Sequence, residues 1–190
     1  MDPERLTELE GCVLGLVVSE GPCTPYAVFS VLRDSPSSQW SGSAGAVYPV
    51  FRRLEAAGLI ASEARGSGGR AARISRATAS GKAALRRWLG PPIADWIAEV
   101  PSDPLRTRVR FLDALPPARR RAFLTEARSR LTKEVARLEE DLKARRSRTH
   151  AEIAMARGAV LLVRARLAWI KETEGTLEAG RRRATRPAQR

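Results

Sequence analysis

Residues 40–60 read WSGSAGAVYPVFRRLEAAGLI, and the fold turns on how this stretch divides. Val47, Phe51 and Leu54 recur at steps of four and three, the spacing of one buried stripe on a helix. Ser43 stands where an N-cap belongs and Gly58 where a helix stops. On the flank of the stripe lie Ala44, Tyr48, Arg52 and Glu55, which gives the helix a polar outer face. The small residues Ser41, Gly42, Ser43, Ala44 and Gly45 let its N-terminus approach another backbone closely, and the free N–H groups there suit a phosphate.

Upstream, Leu6, Leu9, Val13, Leu16 and Val17 have helical spacing and Thr7 with Glu10 has the spacing of a capping box, which predicts a first helix over residues 6–18. Gly21 and Pro22 end it. Thr24 followed by Pro25 starts a second helix that buries Val28, Phe29 and Leu32 and stops before the polar residues 34–39. Two short helices before a third with a polar outer face make a tri-helical helix-turn-helix unit.

Downstream, residues 59–65 alternate weakly, Gly66, Ser67, Gly68 and Gly69 form a turn, and residues 70–77 return as a second strand. The hairpin has a basic rim of Arg65, Arg70, Arg73 and Arg76. Thr78 caps another helix, through Leu85, Trp88 and Leu89, which Gly90, Pro91 and Pro92 close.

Beyond the prolines the pattern is helical: a short piece around residues 93–100, another over 103–115, and two long helices separated near His150. The first long helix, over residues 117–148, carries Leu124, Leu131, Val135, Leu138 and Leu142, and the second carries Val160, Val163, Leu167, Ile170 and Leu177, both in coiled-coil spacing. Two such seams need more partner surface than one copy supplies, so a homodimer is expected, and truncation at Pro92 should leave a monomer. The expected fold is mainly α. Residues 1–90 form an N-terminal winged helix-turn-helix of three helices plus a two-stranded β wing, and residues 91–180 a helical, coiled-coil-like dimerisation domain with two long helices. Residues 181–190 form a basic disordered tail.

The formal charge of +13 favours a polyanionic partner. It is unevenly placed: residues 1–42 hold two basic and six acidic side chains, residues 43–90 nine and two, and residues 91–190 23 and 13. The excess begins where the third helix begins. Cys12 and Cys23 are too few for a disulfide framework, the acidic start is unlike a secretory signal, and no run of 18 apolar residues occurs, so a cytoplasmic protein that does not enter a membrane is expected. The single histidine, His150, has no cysteine or metal-ligand spacing around it, so no catalytic residue, metal or cofactor is expected.

A helix-turn-helix reads double-stranded DNA by putting the N-terminal half of its last helix into the major groove. That brings Ser43, Ala44, Val47 and Tyr48 nearest the bases, with Tyr48, Arg52 and Arg53 as phosphate contacts. Arg65, Arg70, Arg73 and Arg76 are placed to reach an adjacent minor groove. The alternative is a helical interaction or membrane-surface protein whose basic C-terminal region meets anionic lipid. The two differ in where affinity resides, residues 43–76 or residues 181–190.

Residues 45–60 resemble the recognition helix of the PadR family of transcriptional regulators, with a tyrosine-proline pair at Tyr48 and Pro49 and the run Arg53, Leu54, Glu55 leading into Gly58 and Leu59. Leu9 with Glu10, Leu14 with Gly15, Pro25 with Tyr26, and Thr78 with Gly81 fall where the family has its other marks. The resemblance covers residues 6–90. Residues 105–115 with the two prolines after them, and Trp169, Ile170 and Lys171, resemble the family's dimerisation domain more loosely. Pro25 stands where the family usually has glycine, and Ser75 where the second wing strand usually has tyrosine. The resemblance implies a homodimeric repressor on a palindromic operator, in some members released by a small aromatic or cationic ligand. Trp88, Trp96 and Trp169 are the candidates for an effector pocket, although packing in a core or dimer interface is the plainer role for them.

Overall fold

The computed structural model describes residues 6–35, 44–65, 72–144 and 149–184, with Ala44 and residues 178–184 described by backbone alone. The expected cap Ser43, the glycine turn with Arg70, and residues 185–190 lie outside the described residues. The chain divides into two compact units, Met1–Val100 and Pro101–Arg190. The architecture is mainly α, with one antiparallel pair of strands among the described residues.

The first unit opens with α1 (Glu8–Ser19), held by the expected capping box: the Glu10 amide donates to the Thr7 hydroxyl and the Thr7 amide to the Glu10 carboxylate. Helix α2 (Pro25–Arg33) starts on Thr24, whose hydroxyl accepts from the Ala27 amide, with Pro25 at the position where a missing N–H costs nothing. Helix α3 (Ala44–Ala56) contains Pro49. It ends in a Schellman motif in which Gly58 takes φ +68°, its amide donates to the Glu55 carbonyl, and the Leu59 amide donates to that of Leu54.

Strands β1 (Ile60–Arg65) and β2 (Ala72–Ala77) pair antiparallel with Ile60 opposite Ala77 and Arg65 opposite Ala72. Helix α4 (Ala79–Leu89) follows at once, its first turn capped by Thr78, whose hydroxyl also donates to the Gly58 carbonyl at 2.7 Å. A Cβ on Gly81 would strike the Leu59 carbonyl, so α4 can lie this close to the end of α3 only with glycine there.

The core of this unit collects Val13, Leu14 and Val17 of α1, Val28 and Leu32 of α2, and Val47, Val50, Phe51 and Leu54 of α3 under the hairpin and α4. Each such side chain contributes about 1.5–3 kcal/mol by leaving water. Cys23 and Ser75 exchange two backbone hydrogen bonds, at 3.0 and 2.8 Å, so the segment before α2 adds a one-residue bridge to the hairpin. Ser75 is wholly buried, and its hydroxyl pairs with that of Ser62 at 2.9 Å. The wing is thus anchored here by polar contacts.

In the second unit α5 (Pro104–Arg110) is capped by Asp103, and the expected longer helix breaks at Phe111 into a 3-10 turn at Leu112–Ala114. Around residues 93–100, in the first unit, the helical piece is likewise only a 3-10 turn, Asp95–Ile97. Helices α6 (Pro117–Ala144) and α7 (His150–Ala184) form a hairpin. The ion pairs Arg128–Glu174 and Glu139–Arg164 show that they run antiparallel, since residues later in α6 meet residues earlier in α7. Leu112, Leu124, Ala127, Leu131 and Ile170 form the buried centre of this unit. Asp103 takes a bidentate pair from Arg166 at 2.7 and 2.9 Å, tying the start of α5 to α7. Leu177, read as part of the seam, is instead exposed. Helix α7 also runs on to Ala184, four residues into the segment expected to be disordered, because arginine and alanine sustain a helix already nucleated. Among the described residues no helix is long and apolar enough to cross a membrane.

Candidate nucleic-acid interface

The inward stripe of α3 leaves Tyr48 and Arg52 exposed on the outside, as the sequence predicts. They do not stand on a convex surface. With Tyr26 at the start of α2, Glu55 on α3, and Ser62 and Arg73 on the hairpin, they line an open groove of about 460 Å³. The fold builds this groove from three local features: the cap at Thr24 sets the first turn of α2, the glycine turn at Gly58 folds the hairpin back beside α3, and the Cys23–Ser75 bridge pins α2's approach to β2. Tyr26 was not among the residues picked from the sequence. Its signal is an aromatic side chain in the first turn of α2, off the stripe of Val28 and Leu32, and it is exposed.

The arginines sort into distinct roles. Arg52 has no ion-pair partner among the described residues and faces the groove. Arg53, its neighbour, turns back to α1, where its Nε donates to the Glu10 carboxylate at 2.8 Å. Burial opposes the charge on Glu10, but Arg53 and the amide and hydroxyl of Thr7 outweigh it and hold the carboxyl below its ordinary range. Arg53 therefore fastens α3 to α1. In the hairpin, alternation puts Arg73 on the same face as Ser62 and Ser75, towards α3, and Arg65 and Arg76 on the other face. Arg73 donates to Glu55 at 2.6 Å and Arg76 forms an ion pair with Glu63 at 3.1 Å, leaving Arg65 as the hairpin arginine without an ion-pair partner among the described residues. Of the expected basic rim, Arg73 is thus on one face and Arg65 and Arg76 on the other, with Arg73 and Arg76 already paired. Ala44 begins α3, and Ser43 and Arg70 are outside the described residues.

The tryptophans divide as well. A Cβ on Gly11 would collide with the Trp88 ring, so Trp88 lies flat on α1 and belongs to the first core. Trp169 packs against the core of the second unit, and Trp96 is 52% exposed. Among the described residues no group of three histidine, cysteine, aspartate or glutamate side chains is placed to hold a metal ion.

Residues 13–87 match the transcriptional regulator PadR-like family. Transcriptional regulator Rv3488 of Mycobacterium tuberculosis is 56% identical over 43 residues, which are 23% of this chain and 40% of that protein. The match thus spans two fifths of its length. Among solved structures, Bacillus subtilis PadR in complex with operator DNA superposes with a TM-score of 0.75 at 18% identity, covering 88% of this chain and 96% of that one. Bacillus subtilis PadR in complex with p-coumaric acid gives 0.69 at 16% identity, covering 92% and 99%. At such identities these structures establish the fold. The family and these proteins are transcriptional regulators, not enzymes.

Proposed function

We propose, from the premise that residues 13–87 are a PadR-like transcriptional-regulator domain, that two copies of this chain repress transcription by binding a palindromic operator. Helix α3 enters the major groove by its N-terminal half, with Ser43, Ala44 and Tyr48 towards the bases. A flanking phosphate run lies in the groove between α2, α3 and the hairpin, met by Tyr26, Tyr48 and Arg52. The observation that carries this reading is that groove: two tyrosine hydroxyls and an unpaired arginine beside a helix whose apolar face is fully spent on the core. Arg65 and Arg70 extend the contact along the wing.

The dimer is supported by the outer side of α7. Met155, Leu161 and Leu162 are 65%, 62% and 64% exposed, and Leu162 lies about 200° around the helix from the buried Val160. A second copy covers them and sets the two α3 helices about 34 to 36 Å apart, one turn of duplex. Release by a small aromatic effector belongs to the same proposal, with Trp96 as the ring most open to stacking. The test is selection of DNA from a random pool with the purified protein, followed by fluorescence anisotropy. An inverted repeat is expected, bound less tightly as salt rises and weakened by Arg52→Ala and Tyr48→Phe. A pool without a common sequence overturns sequence-specific binding, and unchanged affinity in both variants overturns the assigned surface.

A further inference from the structure

We propose that Glu55 is a specificity-determining residue of this surface: by holding Arg73 it keeps one cation of the groove from gripping any phosphate indiscriminately. The inference rests on the DNA-binding reading above and adds to it a residue of the wrong sign for a phosphate contact. Glu55 lines the same groove as Tyr48 and Arg52, and its Oε1 accepts from Arg73 Nη2 at 2.6 Å. The two partners are unequally fixed, for the Glu55 side chain is 30% exposed and that of Arg73 is 64% exposed. The hydrogen bond from Arg73 first, and one from the Ser62 side chain after it, keep the Glu55 carboxyl below its ordinary range, so it carries its charge at neutral pH.

A phosphate entering the groove therefore meets two arginines and one carboxylate. If Arg73 stays on Glu55, the phosphate gains only Arg52. If Arg73 leaves, the phosphate sits beside a bare carboxylate, and the repulsion offsets the new contact. Either way the groove displaces about one counterion fewer than its two arginines suggest. Contacts made by the N-terminal half of α3 to one particular sequence are untouched by this. The pairing lowers the sequence-independent attraction and leaves the sequence-dependent part, and the ratio of the two is what selects an operator among genomic competitors. Glu63 holds Arg76 on the opposite face of the hairpin, away from the groove, so the inference is confined to Glu55.

The experiment measures binding of the full-length wild type, Glu55→Gln and the double variant Glu55→Gln/Arg73→Ala to a random-sequence duplex across a salt series, and to the selected operator. In Glu55→Gln the plot of log affinity against log salt on random duplex should steepen by about 0.9, the value of one added phosphate contact. The ratio of operator to random affinity should fall. Removing Arg73 as well should return the slope to that of the wild type. An unchanged slope in Glu55→Gln overturns the proposal, because Arg73 would then be on phosphate already. A steep slope that persists in the double variant also overturns it, because deleting any nearby acid would have the same effect. The wild-type curve decides the underlying reading separately: a wild type that binds no duplex removes the DNA-binding function and this inference with it.

Discussion

The two units treat apolar and charged side chains in opposite ways. Among the described residues the first unit buries thirteen core side chains beneath short elements, and three of its carboxylates, Glu10, Glu55 and Glu63, are each matched to an arginine on another element. The second unit has two helices of 28 and 35 residues but a buried centre of five side chains, and several of its ion pairs lie along a single helix, as in Arg130–Glu126 and Arg137–Asp141. Pairs of that kind stabilise a helix by only about 0.2–0.5 kcal/mol and fix nothing between helices. The first unit exposes apolar side chains chiefly at and after the end of α4, at Leu89, Ile93, Ile97 and Val100, whereas the second leaves Met155, Leu161 and Leu162 in water along α7. On the proposed reading, this face of α7 is where a second copy supplies the missing burial.

The most severe way to break this contrast is to poison the open face. Leu161→Glu/Leu162→Glu should convert a dimer to a monomer in sedimentation while leaving the first unit folded. Losing the tether between two half-sites should cost about 10²- to 10⁴-fold in operator affinity. A double variant that stays dimeric and binds normally would show that α7 is not the shared surface.

How far the sequence could have revealed this differs between the units for a physical reason. The helices, caps and hairpin of the first unit were legible because each rests on contacts a few residues apart: Thr7 with Glu10, Thr24 with Ala27, Thr78 with Gly81. Val47, Phe51 and Leu54 announced the buried face of α3 by their spacing, although Val50, equally buried, did not enter the stripe. What stayed hidden depends on distant partners. Arg52 and Arg53 are indistinguishable as letters, and only Glu10, 43 residues away, sets Arg53 apart by an ion pair. The pairing of Arg73 is equally invisible in the letters, because Glu55 lies 18 residues back on another element. Burial of Ser75 is invisible until its partners Ser62 and Cys23 are in place. The groove, made by three elements, had no signature in any one of them.

A sharper test of the first unit compares the two adjacent arginines. Arg53→Ala leaves Glu10, which is 5% exposed, without its counter-ion, and should cost the unit about 1–3 kcal/mol in thermal or urea unfolding. Arg52→Ala should leave unfolding unchanged and reduce the salt slope of operator binding by about 1. If Arg53→Ala melts like wild type and lowers the salt slope instead, Arg53 is a phosphate contact and α3 is fastened by its apolar stripe alone.

The smallest effect is set by pH, and it too concerns Glu10. Its folded carboxyl lies below the ordinary value of about 4.5, so the charged form is favoured by folding. The stabilisation is complete above the unfolded value and is lost as pH falls through the folded one. Wild type should therefore be more stable than Glu10→Gln near pH 7, and the gap in melting temperature should close as the pH falls through the lowered pKa of Glu10. Asp103 in the second unit is shifted the same way: burial works against it, but the Leu105 amide and Arg166 prevail. Asp103→Asn should then show the same acid-dependent gap against wild type, read from the loss of helix content on heating. A gap that is constant with pH in Glu10→Gln would mean that Arg53 holds Glu10 through geometry that the neutral amide reproduces, and that charge contributes nothing to fastening α3.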